Sequence, residues 1–187
     1  MSDRATALLA FWNDVEPAHD EAYNAWHGDE HVPQRCSVPG VLWAQRYGQT
    51  HSGAAQRYMT LYGLRDARVL EEEGYQRLLR EPTLASRAMR PMLLNLSRWV
   101  CRLHACRLTG ATNALVATAL AEAPPATVGA LVLAERVPDA SPLPWMNRRQ
   151  DRQRNGLWLL CSVADGMTPD TPLPDGAVLY QRLAAGC

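Results

Sequence analysis

Apolar positions along this chain recur with two different periods. Ala5–Asn13 is a short apolar run and reads as a strand. Glu16-Pro17 then opens a helix, because proline is tolerated at the first helical position and Asp20 and Glu21 suit the positive end of the helix dipole. From there Tyr23, Trp26, His27, Glu30, His31 and Gln34 fall on one broad stripe at the helical period. Pro33 disfavours helical backbone at Val32, so the helix is expected to end or distort near His31. Pro39-Gly40 marks a turn, and Val41–Gly48 and Arg57–Leu64 read as the two strands of a hairpin. Asp66 can cap a helix over Ala67–Glu73, a second helical piece runs over Gly74–Arg80, Pro82 interrupts it, and Thr83–Arg90 supplies another turn or two. Leu93–Leu108 is a long strand.

The order strand, helix, strand, strand, helix, strand is the split βαβ, or ferredoxin-like, arrangement. Thr109–Thr112 reads as a linker, which divides the chain into a unit over residues 1–108 and another over 109–187. In the second, Asn113–Ala121, Ala130–Val137, Gly156–Val163 and Ala177–Leu183 are strand-like and separated by proline-rich segments. Four strands at this spacing fit a second, degenerate copy of the first unit, its first helix reduced to the stretch around Pro125–Gly129. The hairpin strands support closure of the two sheets on each other. Alternation sets Val41, Trp43 and Tyr47 against Leu42 and Ala44, and Tyr58, Thr60 and Tyr62 against Met59 and Leu61. Both faces are apolar, as in a strand covered on both sides. The expected fold class is therefore α+β, with tandem ferredoxin-like units whose sheets face each other and enclose an aromatic-lined cavity.

Composition narrows the function classes. The chain has 187 residues, 47% apolar and 20% charged, which is the profile of a folded globular protein. Its net charge is zero, so no global field draws it to nucleic acid or anionic lipid. Arg148, Arg149, Arg152 and Arg154 form a local basic run that reads as a solvated turn. All 19 basic residues are arginine, and without lysine no Schiff-base chemistry is open to it. Cys36, Cys101, Cys106, Cys161 and Cys187 make no zinc-type spacing and read as small buried thiols in a cytoplasmic protein. No segment reads as a signal peptide or a membrane span, and no phosphate loop or nucleophile elbow occurs.

The motif Trp26-His27-x-x-Glu30-His31-x-Pro33-x-Arg35, followed by Val38-Pro39-Gly40, Arg46-Tyr47 and Tyr58 to Tyr62, resembles the EthD-like branch of the dimeric α+β barrel superfamily. Glu81-Pro82-Thr83, Arg90-Pro91 and Arg98 extend the likeness, which spans about Ala7 to Leu103. Gln34 stands where that family usually has Glu, and the second half carries no such motif. The resemblance implies ferredoxin-like units paired into a barrel with a central cavity. It further implies a superfamily of cofactor-free isomerases, cyclases and monooxygenases for small cyclic or aromatic compounds, with some haem binders. A single surviving site is expected in this chain.

Histidines and a carboxylate on the buried side of a helix are costly unless they are paired or used. His31, at an expected helix C-terminus beside Glu30, would have its protonated form favoured and could shuttle a proton near neutral pH. His27 lies one turn earlier, Glu30 would orient His31, act as a base itself or be a solvent-facing charge paired with Arg35, and Arg46 could steady an oxyanion. Trp26, Trp43, Tyr47, Tyr58, Tyr62 and Trp99 are the expected aromatic lining. His27-Gly28-Asp29-Glu30-His31 also matches the H-x-x-E-H string of zinc peptidases, but Pro33 cuts the helix such a site needs, so no metal is expected. His51 and His104 lie in no recognisable haem context, and no cofactor is expected. The expectation is an isomerase, cyclase or lyase that moves a proton on a small apolar or aromatic molecule, possible as a homodimer. The alternatives are a non-catalytic ligand-binding or accessory protein and a haem- or oxygen-using relative.

Overall fold

The computed structural model describes residues 4–49, 56–125, 129–145, 156–164, 166–168 and 170–186, with residues 185 and 186 described by backbone alone. His51, the arginine run at 148–154 and most of the stretch around Pro125–Gly129 lie outside these residues.

Eight strands form one closed antiparallel barrel. They are β1 (Ala7–Val15), β2 (Val41–Gln49), β3 (Tyr58–Leu64), β4 (Leu93–Cys106), β5 (Ala114–Leu120), β6 (Ala130–Arg136), β7 (Trp158–Val163) and β8 (Ala177–Gly186). Around the ring the order is β4-β1-β3-β2-β8-β5-β7-β6, closing again on β4. The first four strands thus run fourth, first, third, second, and the last four repeat that order. Two ferredoxin-like sheets meet at the β2–β8 and β4–β6 seams, which leaves no free sheet edge.

The helices all belong to the first half among the described residues: α1 (Asp20–Trp26), a π-turn (His27–His31), α2 (Val32–Cys36), α3 (Glu73–Arg80) and α4 (Leu84–Met89). The helix expected to end or distort near His31 distorts there, as the π-turn, and continues to Cys36. Pro33 has no N–H to give, and the π-turn absorbs this: Val32 N–H bonds to the His27 carbonyl, which places Pro33 in the first turn of α2, where no donor is required.

Alternation along the strands sorts the core into an inner and an outer layer. Leu8, Ala10 and Trp12 of β1 and Met59 and Leu61 of β3 point into the barrel, where Tyr47, Trp99, Cys101, Leu115, Val132, Leu159, Cys161 and Tyr180 meet them. Ala7 and Leu9 of β1 and Tyr62 and Leu64 of β3 point outward and are covered by Val32, Val69, Tyr75 and Leu79 of the helical layer. Each fully buried leucine contributes about 1.5–3 kcal/mol to this packing. A register shift between Val41 and Trp43 puts Val41 on the outer face, while Trp43 packs with the inner layer, so the expected single face for Val41, Trp43 and Tyr47 does not form.

The middle of the barrel is filled by side chains, and its two ends open as clefts. One, of about 470 Å³, lies among Trp12, Trp99 and Tyr180, and a broader one, of about 930 Å³, lies among Trp43, His104 and Cys106. The expected hollow between the sheets is therefore not where the histidines sit. Cys101, Cys106 and Cys161 are free, whereas Cys36 is disulfide-bonded, against the expectation of a free thiol there. No helix of the described residues is long and apolar enough to cross a membrane.

Candidate active site

The polar stripe of α1 and the π-turn faces the outside of the barrel wall. Between them lies a pocket enclosing about 670 Å³, its mouth included. Leu9, Phe11, Tyr62 and Leu64 form its floor, Tyr23, Trp26, His27, His31 and Arg35 its helical wall, and Tyr75, Arg90 and Arg98 much of the remainder. Leu143 and Trp145, from the segment after β6, close one side, so the second half of the chain contributes to the site.

The π-turn sets the geometry of the imidazoles. Its wider turn nearly eclipses positions four apart, and the His27 and His31 rings stack with centroids 5.0 Å apart and planes 28° apart. Trp26 packs against His31 at 4.6 Å and Tyr23 against His27 at 5.1 Å. His27 is 3% exposed and its Nδ1 has no hydrogen-bond partner among the described residues. Burial, then the Arg46 and Arg35 guanidiniums, hold its pKa well below the usual imidazole range. His31 is half-buried, and burial followed by Arg35 and His27 depresses it in the same direction. The expectation of a favoured imidazolium at a helix end is thus overturned. The helix does not end at His31, and the charges around it are guanidiniums, so both imidazoles are neutral bases.

Glu30 does not line the pocket. It accepts hydrogen bonds from Thr83 and from Ser86 Oγ at 3.2 Å, while Trp26 Nε1 donates to that same Ser86 hydroxyl at 3.3 Å. Thr83 also caps α4 by accepting from Ser86 N–H at 3.0 Å. The carboxylate thereby ties the π-turn to α4 and neither orients His31 nor pairs with Arg35.

Arg46 is buried behind Tyr23, donating to Asn24 Oδ1 at 2.9 Å and to the Ala184 carbonyl. Tyr58 bonds Asn24 and Asp20 and lies outside the pocket lining. Tyr47 and Trp99 belong to the barrel interior, and Trp43 to one barrel end. Of the residues expected from the sequence, the structure brings Trp26, His27, His31 and Tyr62 into one pocket and sets Glu30, Arg46, Trp43, Tyr47, Tyr58 and Trp99 elsewhere.

Residues not foreseen join them. Tyr23 donates to Asn13 Oδ1 at 2.9 Å. Arg90 donates to the Leu78 and Leu79 carbonyls and lies 3.8 Å over the Trp145 ring. Arg98 pairs with the Asp139 carboxylate. Arg35, 6% exposed, rests 5.1 Å over the Tyr75 ring, and its Nη1 has no acceptor among the described residues. Tyr62, 4% exposed, makes no hydrogen bond through its hydroxyl there either. An apolar pocket onto which His27, His31, Arg35 and Tyr62 converge with spare hydrogen-bonding capacity has the form of a small-molecule site. In the 930 Å³ cleft, by contrast, His104 pairs with Glu135 at 3.4 Å. Among the described residues no group of three His, Cys, Asp or Glu side chains converges as metal ligands do.

No protein-family model and no curated protein matches the sequence. Among solved structures, an anthrone oxidase-like protein superposes with a TM-score of 0.60 at 9% identity, over 100% of this chain and 95% of its own. A candidate monooxygenase from Fusobacterium nucleatum covers 84% of this chain and 75% of its own at 12% identity, with a TM-score of 0.47. The first likeness supports the α+β barrel fold and, at that identity, nothing finer.

Proposed function

We propose that this chain is a cofactor-free enzyme that moves a proton on a small apolar or aromatic substrate bound between the first helix and the barrel wall, with His31 as the general base. The observation that carries this reading is a pair of stacked imidazoles, held neutral by burial and guanidiniums, opening onto an aromatic pocket with no carboxylate in its lining. A neutral imidazole can take a proton from a C–H acid, and the electron pair left on carbon is delocalised into a neighbouring carbonyl as an enolate. The imidazolium then returns the proton at another position of the delocalised anion, completing an isomerisation. The Tyr62 hydroxyl, on the pocket floor, would meet the enolate oxygen, the role the sequence had suggested for Arg46. His27, stacked beneath His31, shares its environment and positions its ring.

The name of the anthrone oxidase-like neighbour suggests a first screen of tricyclic carbon acids, alongside small lactones. Each compound is incubated with the protein in deuterium oxide, and isotope uptake at carbon is followed by mass spectrometry. Uptake by the wild-type protein should fall about 10²–10⁴-fold in His31→Ala. A folded His31→Ala variant that exchanges as fast as wild type would remove His31 from the mechanism.

A further inference from the structure

Among the described residues the arginines that touch the pocket differ in what stands beside them: Arg98 has a carboxylate in ion-pair contact though its guanidinium makes no hydrogen bond, Arg90 has carbonyl acceptors, and Nη1 of Arg35 has neither. Arg98 faces Asp139, and Arg90 donates to two carbonyls at the end of α3 and covers Trp145. Arg46, behind the wall, bonds Asn24 and the Ala184 carbonyl. Arg35 lies in the pocket wall one turn beyond His31, is 6% exposed, and has no acceptor for Nη1 among the described residues. Tyr75 lies under its guanidinium, and an aromatic face offers less to a cation than an anion does. Among the described residues Asp139 provides the only carboxylate in contact with any of these lining arginines, and Arg98 occupies it. Among the described residues, three lining arginines against one carboxylate leave the pocket net positive inside apolar walls.

From this we infer that the natural ligand is an apolar, ring-containing acid whose carboxylate pairs with Arg35 while its rings lie among Phe11, Tyr62, Trp26 and Trp145. The inference names the ligand class of the pocket described above. It rests on that pocket being the ligand site, not on the proton transfer. Guanidinium and carboxylate match as planar forks, so the pair fixes orientation as well as charge. It also couples binding to chemistry. The Arg35 charge depresses the basicity of the adjacent His31, and a bound carboxylate cancels that charge, so His31 becomes a stronger base only once the pocket is filled.

The test compares 2-naphthoate with its neutral isostere 2-naphthamide by tryptophan fluorescence, in the wild-type protein and in Arg35→Gln and Arg35→Lys. Wild type should prefer naphthoate by about 10–100-fold, the range of a charge-assisted hydrogen bond. Arg35→Gln should bind both compounds alike, with naphthamide affinity as in wild type, and Arg35→Lys should keep part of the preference. Equal affinities in wild type, a preference that survives in Arg35→Gln, or failure of both probes to bind would each overturn the inference. If Arg35→Gln does not fold, the wild-type ratio decides. His31→Ala should retain the preference, so a failure of this inference is distinct from a failure of the deuterium-exchange experiment.

Discussion

Leu61 and Tyr62 are chain neighbours on β3 and point to opposite sides of the barrel wall, which makes them a test of where the ligand lies. Leu61 is fully buried in the barrel interior. Leu61→Ala should cost about 2–5 kcal/mol, because the eight surrounding strands cannot collapse into the space left. For a chain of this size that corresponds to a melting temperature lower by roughly 4–20 °C. Tyr62 is also buried, and Tyr62→Ala will lose stability too, but its ring forms part of the outer pocket floor. The two variants should therefore part company in ligand binding. Titrated with 2-naphthoate well below either melting temperature, Leu61→Ala should match wild type. Tyr62→Ala should bind about 10-fold more weakly or worse, having lost the aromatic contact and the area it buries. Weaker binding by Leu61→Ala with unchanged binding by Tyr62→Ala would place the ligand inside the barrel and refute the outer-pocket assignment.

Other consequences can be checked with the same material. His27 and His31 both have folded pKa values below the unfolded value of about 6.5, so the unfolded chain binds more protons below that pH and stability must fall as the solution is acidified, with no change in this contribution above it. The loss should approach about 1.4 kcal/mol per pH unit for each histidine, and denaturant titrations of His27→Gln should show a shallower decline. Binding of 2-naphthoate should raise the His31 pKa, read from its ring proton shifts, and should not do so in Arg35→Gln. Glu30→Gln should lower stability by about 1 kcal/mol through its bonds to Thr83 and Ser86, yet leave deuterium exchange within a few-fold of wild type. A Cβ at Gly63 would run into the Trp43 ring, so Gly63→Ala should destabilise the barrel markedly, and Trp43→Ala in the same chain should restore part of the loss.

Much of the architecture was legible because strand and helix periods differ. The alternation of Tyr58 to Tyr62, the length of β4 and the helical stripe from Tyr23 to His31 all correspond to elements in the fold. What the pattern could not carry are the places where one residue is inserted. The π-turn adds a residue to the helix, which rotates the following stripe by one position, so that Arg35 rather than Gln34 turns inward. The irregularity after Val41 does the same to β2. Arg90, Leu143 and Trp145 reach the pocket from distant parts of the chain, and no local signal announces such a meeting. The side of the wall holding the void was equally hidden. A strand apolar on both faces looks the same whether the space lies within the barrel or beneath the helices.

The repeated strand order explains why the site is asymmetric. The ring β4-β1-β3-β2 followed by β8-β5-β7-β6 has the form of two sheets related by a rotation, yet among the described residues helices follow only the strands of the first. A barrel of this kind needs both sheets for its interior, since all eight strands contribute side chains to the inner layer. It needs helices only where a pocket is to be roofed. The second sheet has thus kept the residues that close the barrel, while the segment after β6 has turned to the first pocket, placing Asp139 on Arg98 and Leu143 and Trp145 along its side. Removing the Trp145 ring should accordingly weaken 2-naphthoate binding with little effect on folding, because that ring contacts Arg90 and the pocket rather than the barrel interior. A Trp145→Ala variant with wild-type affinity would show that the Trp145 ring takes no part in holding the ligand.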